Sequence, residues 1–292
     1  MIKYKIADLV IELECEKELL PEGLKEFQWL GLEQADLQWR LQDQQIPEIP
    51  DGIEWIDFSG FSVGRYQNKV IVSYSEEDIY LIRWIVYEDN FSKAVFYYNK
   101  GSFHSLSDQR KEELSTYLFY FYREAFFLGV LYQDGISIHS ASLIYREKGI
   151  VFSALSQTGK STHTNRWKQM YGTPILDGDV TVCRYFNDKL YIYGLPWSGT
   201  SELFLNQRVE LEALVFLHQG PENKVSQINV YHTFQQLFSR SFTPLWDSIL
   251  MEQRVRVTER IVPIIPQVYS LECLPNQEAV EVIKTVIDEN FS

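Results

Sequence analysis

Residues 154–162 of this 292-residue chain read Ala-Leu-Ser-Gln-Thr-Gly-Lys-Ser-Thr. A short apolar run at 150–152 stands directly before them, and residues 162–170 can continue as a helix. A Gly-Lys-Ser sequence between a strand and a helix is typical of a phosphate-binding loop. The sequence therefore predicts a strand, a phosphate-binding turn and a helix at this point.

The side chains of this loop have specific tasks. Its backbone N–H groups point inward, and the helix that follows adds its positive end. A lysine reaches the terminal phosphates, and the next hydroxyl holds the Mg²⁺ that bridges them. We expect Lys160 and Ser161 in these two roles, with ATP and Mg²⁺ as cofactors. The predicted nucleotide contacts are Ser156, Gln157, Thr158, Gly159, Lys160, Ser161 and Thr162.

Two positions differ from the usual loop pattern. Ala154 stands where the first glycine of the pattern belongs, and Gln157 stands at a second position that is small in related loops. Alanine fits there if its φ is negative, whereas the Gln157 side chain either crowds the phosphates or hydrogen-bonds to them. These differences predict reduced nucleotide affinity or an unusual phosphoryl donor.

A second element of the site is the run 175–180, Ile-Leu-Asp-Gly-Asp-Val, which reads as a strand that ends in carboxylates. We expect Asp179 to bind Mg²⁺ or to accept the proton of the attacking hydroxyl. The alternative is that Asp-Gly-Asp is an ordinary turn. Glu202 is a candidate second carboxylate, with a surface role as the equal alternative.

A third element is His139, in the predicted strand 136–143 that runs directly before the loop strand. A lone histidine in a strand is usually structural. Near phosphates, however, it can hydrogen-bond to the transferred group or orient the carboxylates. We therefore include His139 with Asp179 and Lys160 as the predicted catalytic residues.

The remainder of the chain predicts an α/β (α+β) protein with three parts. We expect residues 1–104 to form a mostly antiparallel β domain, 105–134 a connecting helix, and 135–292 a phosphate-binding domain of strands and helices. The strand-like runs of the first part are 5–13, 60–66, 70–74, 79–86 and 93–98. A loop with Pro47 and Pro50 interrupts them.

Composition excludes several function classes. A formal net charge of −13 gives an average field that repels nucleic acid and anionic membranes. The three cysteines lie far apart, which argues against a disulfide framework or a cysteine-rich zinc site. The acidic N-terminal residues do not read as a secretory signal, and no run is apolar enough to span a bilayer. We expect a cytoplasmic protein that binds neither nucleic acid nor membrane.

The order His139, then 156–162, then Asp179 resembles the catalytic domain of HPr kinase/phosphorylase, which is similar to the nucleotide-binding half of phosphoenolpyruvate carboxykinase. The motifs at 161–167, 178–179 and 196–199 resemble bacterial HPr-kinase-like proteins of the serine-kinase type. The likeness spans roughly residues 135–225.

This resemblance implies that residues 135–292 form a mixed-sheet domain, and it implies specific residue roles. Lys160 would contact the β and γ phosphates, Ser161 would hold Mg²⁺, Asp179 would be the metal-binding or base carboxylate, and His139 would assist. Gly178 stands where HPr kinase has the first of two aspartates, and Asp177 lies one residue earlier. HPr kinases are hexameric, so the resemblance also makes a homo-oligomer one of the expected partners.

These observations predict an ATP-dependent kinase whose acceptor is a hydroxyl of a peptide, a protein or a small molecule. The alternative is a nucleotide-binding accessory or sensor protein with weak or no turnover. Carboxykinase chemistry needs a second metal site and a set of arginines, for which Arg240, Arg254 and Arg256 are available but unplaced. A globular domain whose loop only resembles a phosphate site is the remaining interpretation.

Overall fold

The structure is a computed structural model that describes residues 1–43, 49, 51–74, 82–98, 101, 104–198 and 203–291. These residues form a mixed α/β fold with two mixed sheets. They divide into an N-terminal unit, Met1–Tyr132 with Pro244–Asp247, and a C-terminal unit, Gln133–Thr243 with Ser248–Ser292. Several sequence predictions fall outside the described residues, at Pro47, Pro50, 79–81, Gly199 and Glu202.

The described part of the N-terminal unit contains a nine-stranded sheet with the order β3-β1-β2-β4-β9-β8-β7-β6-β5. The pairs β2–β4 and β4–β9 are parallel, and the remaining neighbours are antiparallel. The strands are β1 (Ile2–Ile6), β2 (Leu9–Glu14), β3 (Gln28–Trp29), β4 (Leu37–Asp43), β5 (Trp55–Phe58), β6 (Phe61–Tyr66), β7 (Lys69–Tyr74), β8 (Ile82–Glu88) and β9 (Lys93–Tyr98).

The first strand-like run differs from its prediction. Residues 5–13 read as one strand, but the chain reverses within them and β1 pairs antiparallel with β2. Ala7 and Asp8 form the turn with φ of 50° and 60°. Two-residue hairpin turns of this left-handed kind match the twist of the strands, but they favour Asn-Gly or Asp-Gly. The Ala-Asp pair therefore gave no turn signal.

Helix α1 (Asp108–Leu131) supplies much of the core of the N-terminal unit. Its N-terminus is capped by Ser107, whose side chain accepts a hydrogen bond from the Arg110 N–H. Tyr122 stacks on Trp39 of β4 at a centroid distance of 5.5 Å and meets Phe96 of β9 edge-to-face at 5.1 Å. These ring contacts attach the helix to the centre of the sheet.

The C-terminal unit is built on a second mixed sheet with four helices among its described residues. Its strands are β10 (Gly135–Tyr145), β11 (Lys148–Ser153), β12 (Ile175–Asp177), β13 (Val180–Phe186), β14 (Lys189–Tyr193), β15 (Arg208–Gln219), β16 (Lys224–Gln227) and β17 (Gln267–Cys273). Its helices are α2 (Lys160–Tyr171), α3 (Val230–Ser239), α4 (Ser248–Ile261) and α5 (Gln277–Glu289). The main strand order is β11-β10-β13-β14-β15-β17-β16.

Strand β11 is held on both edges, because it pairs antiparallel with β10 and parallel with β15. Its residues Gly149–Ser153 are fully or nearly fully buried. A strand paired on both sides has little freedom to shift, since every backbone polar group is already engaged. Strand β11 therefore delivers the chain to residue 154 in a fixed position.

The run 175–180 is not a single strand. Strand β12 ends at Asp177, the chain turns through Gly178 and Asp179, and β13 begins at Val180. Both strands pair with β10. The turn places Asp179 beside β10, because the Ser140 N–H donates to the Asp179 carbonyl oxygen at 3.0 Å.

The core beneath the loop contains an unusual buried histidine. Phe152, Trp167 and buried residues of α5 belong to one apolar cluster. His163 lies 4.8 Å from Phe152 between ring centroids, and its Nε2 accepts a hydrogen bond from the Trp167 indole at 3.2 Å. Burial lowers the pKa of His163 to about 3, with Arg166 as a smaller cause. His163 is therefore neutral and part of the core.

None of the described helices combines the length and the apolar character that crossing a membrane requires.

His163 makes the stability of the C-terminal unit pH-dependent. Its pKa in the folded state lies below the unfolded value, so the stability is present above pH ~6.5 and is lost as pH falls toward 3. Between pH 7.5 and pH 5 we expect a loss of about 2 kcal/mol in the free energy of unfolding from this group. Urea unfolding of the wild type and of His163→Gln at both pH values measures it.

The matched control for this measurement is His232→Gln, because His232 is exposed on α3. His232→Gln should keep the wild-type pH dependence. The difference in free energy of unfolding between the wild type and His163→Gln should instead shift by about 2 kcal/mol between the two pH values, because every other titrating group, the buried Asp177 included, is common to both proteins. A difference that stays the same at both pH values contradicts the assignment.

Candidate functional site

The loop between β11 and α2 has the backbone conformation of a tight turn. Ala154 is fully buried and is not among the residues with positive φ, which meets the condition for alanine at this position. Gln157 has a φ of 64°, which costs a non-glycine residue about 1–2 kcal/mol. Gly159 has a φ of 112° and directly precedes the helix. Only glycine adopts this conformation without strain.

The N-terminus of α2 is unusual because no described side chain caps it. The helices α1, α3 and α5 are capped by Ser107, Asn229 and Asn276. The first turn of α2 also lacks an acidic residue, and the helix begins with the cation Lys160. Free N–H groups and a positive dipole end at this position favour a bound anion.

Lys160 contacts the predicted histidine directly. The Lys160 side chain is buried, and its Nζ lies 2.6 Å from His139 Nε2 and 3.5 Å from the carbonyl oxygen of Ala154. An ammonium group can donate to Nε2 only if His139 is neutral with its proton on Nδ1. Burial lowers the pKa of His139, and the charge of Lys160 lowers it further. Geometry and electrostatics therefore agree on a neutral His139.

Asp179 lies on the other side of the same imidazole ring. Its Oδ1 is 3.8 Å from His139 Nδ1, and its side chain is 31% exposed. The Nδ1 atom is buried and has no hydrogen-bond partner in the described part of the chain. The structure thus brings the three predicted catalytic residues, Lys160, His139 and Asp179, into one row.

A fourth residue, the charged Arg240, completes the row although the sequence did not place it. Its carbonyl oxygen accepts the backbone N–H of His139 at 2.8 Å, and its guanidinium lies over the Phe216 ring at 5.2 Å. The Arg240 charge lowers the pKa of His139, Lys160 and His218, after the larger effect of burial in each case. The site therefore carries two cations. A lone arginine about a hundred positions from the histidine gives no sequence signal.

Asp177 has a structural position and does not supply a second reactive carboxylate. It is completely buried, and its Oδ1 accepts the N–H groups of Asp179 and Val180 at 3.0 Å each. Its Oδ2 accepts the Leu195 N–H at 2.9 Å. Burial raises its pKa to about 7 against the effect of these donors. Asp177 therefore holds the turn that presents Asp179.

The other predicted loop residues lie at the surface. Ser156, Gln157, Ser161 and Thr162 are exposed, and Thr158 is half-buried. Gln157, Thr158, Gly159 and Thr162 line a cavity of about 490 Å³ together with residues of α2, β15 and the segment after β17. This volume is in the range of small-molecule sites. Ser156 and Ser161 are not among its lining residues.

A metal site formed by the protein alone is not found in the described residues. No group of three or more His, Cys, Asp or Glu side chains is placed there to hold an ion. Mg²⁺ in nucleotide sites usually takes only one or two protein oxygens and completes its shell with phosphates and water. The Ser161 hydroxyl and the Asp179 carboxylate are oxygen donors of the required kind, so the residues fit this mode.

The chain is similar to solved structures of other proteins. No protein-family model matches the chain, and no curated protein matches it. The solved HPr(Ser) kinase/phosphatase from Coxiella burnetii aligns with 52% of this chain and 94% of its own, at 12% identity and a TM-score of 0.29. That TM-score is too low to establish a common fold, so the likeness carries no argument about function.

The two aspartates are expected to differ in stability experiments. In Asp177→Asn the amide nitrogen cannot accept, so one buried N–H loses its partner at a cost of about 1–3 kcal/mol. Asp179→Asn should lower the free energy of unfolding by less than Asp177→Asn does, because the Asp179 side chain is partly exposed and only its charge acts on Lys160.

This comparison is best made by urea unfolding at pH 6. The raised pKa of Asp177 keeps its carboxyl mostly protonated at pH 6, so the wild type and Asp177→Asn both carry a neutral side chain at this position. Equal stability of the two variants would show that Asp177 does not hold the turn.

Proposed function

We propose that the C-terminal unit binds ATP with Mg²⁺ and transfers the γ-phosphoryl group to a hydroxyl of a peptide, a protein or a small molecule. The observation that carries this proposal is the row Lys160–His139–Asp179 at the start of an uncapped helix. The row combines a cation for the phosphates with a carboxylate that can take a proton.

The binding part of the proposal depends on positive charge. The N-terminus of α2, Lys160 and Arg240 all favour an anion, and Asp179 is the carboxylate that faces them. Burial lowers the pKa of Lys160, which means that its charged form is only partly compensated by the protein. A triphosphate would supply the missing negative charge, with N⁺–H···O⁻ hydrogen bonds that are stronger than neutral ones.

The position of the nucleoside follows from the cavity beside the loop. It begins at Gln157, Thr158 and Gly159 and continues to Leu217, Leu274 and Pro275. Arg166 lines it as well, and its guanidinium is held by the Pro275 carbonyl oxygen at 2.5 Å. A cavity with an apolar wall and a polar rim suits a base and a ribose.

The transfer step assigns one task to each residue. The acceptor hydroxyl oxygen attacks the γ-phosphorus, the bond to the β–γ bridging oxygen breaks, and ADP leaves. The hydroxyl proton passes to the Asp179 carboxylate. His139 acts as a positioning residue, because its Nε2 receives Lys160 while its Nδ1 side faces Asp179. Bound Mg²⁺ would supply charge neutralisation between the phosphates, held by Ser161 and Asp179.

A nucleotide-binding accessory or sensor protein is the second candidate function, and one observation favours it. Asp177 is fully engaged by three backbone N–H groups, so a single carboxylate remains to hold metal and to accept a proton. A site with one carboxylate for two tasks can bind nucleotide and turn over slowly or not at all.

Nucleotide binding is tested with Lys160→Met, which keeps an unbranched side chain but removes the charge. We expect the affinity for MgATP to fall by about tenfold or more, because charged hydrogen bonds to the phosphates are lost. Isothermal titration calorimetry measures the affinity. The control is Lys168→Met, an exposed lysine in the last turn of the same helix, which should bind as the wild type does. Unchanged affinity in Lys160→Met would reject the loop as a phosphate site.

Phosphoryl transfer is tested with Asp179→Asn. This variant should retain nucleotide, because the loop and Lys160 are unchanged, while release of phosphate from ATP falls by about 100-fold or more. The exposed turn variant Asp188→Asn is the control. Turnover in Asp179→Asn equal to the wild type would show that another group is the base. A wild-type protein that binds MgATP and releases no phosphate would favour the accessory function.

A further inference from the structure

A second cavity, of about 390 Å³, is lined entirely by residues of the N-terminal unit. None of its lining residues belongs to the phosphate-binding loop or to the row of charged residues. Its wall is dominated by aromatic rings, which are Phe61, Tyr74, Tyr117, Tyr120, Phe121 and Trp246. Six aromatic side chains around one cavity offer several ring faces to a bound molecule. Such a lining favours a ligand that interacts with ring faces.

The rings are held in place by their neighbours. Tyr74 meets Phe121 edge-to-face at a centroid distance of 5.0 Å and Phe61 at 5.9 Å. Trp246 is supported from the core by Tyr87 at 6.1 Å and Phe91 at 6.3 Å. These contacts fix the walls before any ligand arrives, which reduces the entropy cost of binding. Tyr117 and Tyr120 are partly exposed and give access to the cavity.

The cavity contains one carboxyl group, that of Glu124, which is the only charged side chain among its described lining residues. Tyr117, Tyr120 and Glu124 share one face of α1, because they lie three and four residues apart. No hydrogen bond or ion pair to the Glu124 carboxyl is found in the described part of the chain. Burial raises the pKa of Glu124, and the neighbouring Arg123 opposes this effect. A cation in the cavity would favour the ionised form.

One ring of this cavity already makes a cation–π contact with a side chain of the same helix. The Arg123 guanidinium lies 4.8 Å from the centroid of the Tyr120 ring. The negative face of an aromatic ring attracts a cation, most strongly where water is excluded. Aromatic walls and a carboxylate together therefore form a complementary surface for positive charge.

We propose that this cavity, the aromatic pocket of the N-terminal unit, binds a small quaternary ammonium cation with its charge between the rings and Glu124. A quaternary ammonium has no N–H groups that need acceptors, and ring faces cannot supply strong ones. A hydrated metal ion does not fit, because it requires several oxygen ligands. The volume matches a small molecule. The proposal is independent of nucleotide binding.

The experiment compares two ligands of the same shape. Choline and 3,3-dimethylbutan-1-ol differ in that a neutral carbon replaces the charged nitrogen. Isothermal titration calorimetry of the full chain is carried out without nucleotide, in a buffer free of organic amines. We expect choline to bind about tenfold or more tightly than the alcohol. Equal affinities would overturn the proposal, as would the absence of choline binding.

Two variants identify the groups that recognise the charge. Glu124→Gln should weaken choline about tenfold and leave the alcohol unchanged. The control is Glu112→Gln on the exposed face of the same helix, which should bind choline normally. Because Glu124 is half-buried and its substitution can affect folding, the more exposed Tyr120 provides a second variant, Tyr120→Leu, which should also weaken choline binding. Normal choline binding by a folded Glu124→Gln, or by Tyr120→Leu if Glu124→Gln unfolds, would overturn the assignment.

Discussion

The concentration of positive charge at the start of α2 is the constraint on which the site depends. The helix begins with Lys160, no described side chain caps it, and Arg240 lies close enough to lower the pKa of the lysine. Uncompensated charge of this kind is costly in a partly buried position. The fold tolerates it because β11 is fixed on both edges and His139 receives the ammonium group. A bound anion would be stabilised by these positive charges and would relieve the repulsion between them.

Asp177 and Asp179 are only two residues apart, but the turn at Gly178 places their carboxylates in different environments. Asp177 lies at the end of β12, where three backbone N–H groups surround it and solvent is excluded. Asp179 lies past the turn, where its carboxylate faces the imidazole of His139. The first carboxylate organises the backbone that positions the second. Loss of Asp177 would leave backbone N–H groups of the turn without an acceptor, whereas loss of Asp179 would remove the negative charge beside His139.

Much of the loop was predictable from sequence because its signal is local. The strand before residue 154 and the helix after Gly159 follow from residues that are neighbours in the chain. Arg240 and the role of Asp177 were not predictable, since both depend on segments that only the fold brings together. The hairpin at Ala7 and Asp8 was not predicted either, although it depends only on neighbouring residues. Its turn is local, but its residues are not those that favour a left-handed backbone.

The aromatic pocket shows why periodicity alone did not find a site in the N-terminal unit. Tyr117, Tyr120, Phe121 and Glu124 repeat at helical spacing, and in sequence this pattern indicates a core face. In the structure Phe121 is buried, whereas Tyr117 and Tyr120 are more than one-third exposed. A helix face that was only packing would bury its aromatic residues and would exclude a carboxylate. The partial exposure of the rings and the placement of Glu124 among them are therefore features of a surface that accepts a ligand, and they become visible only when accessibility is added to the pattern.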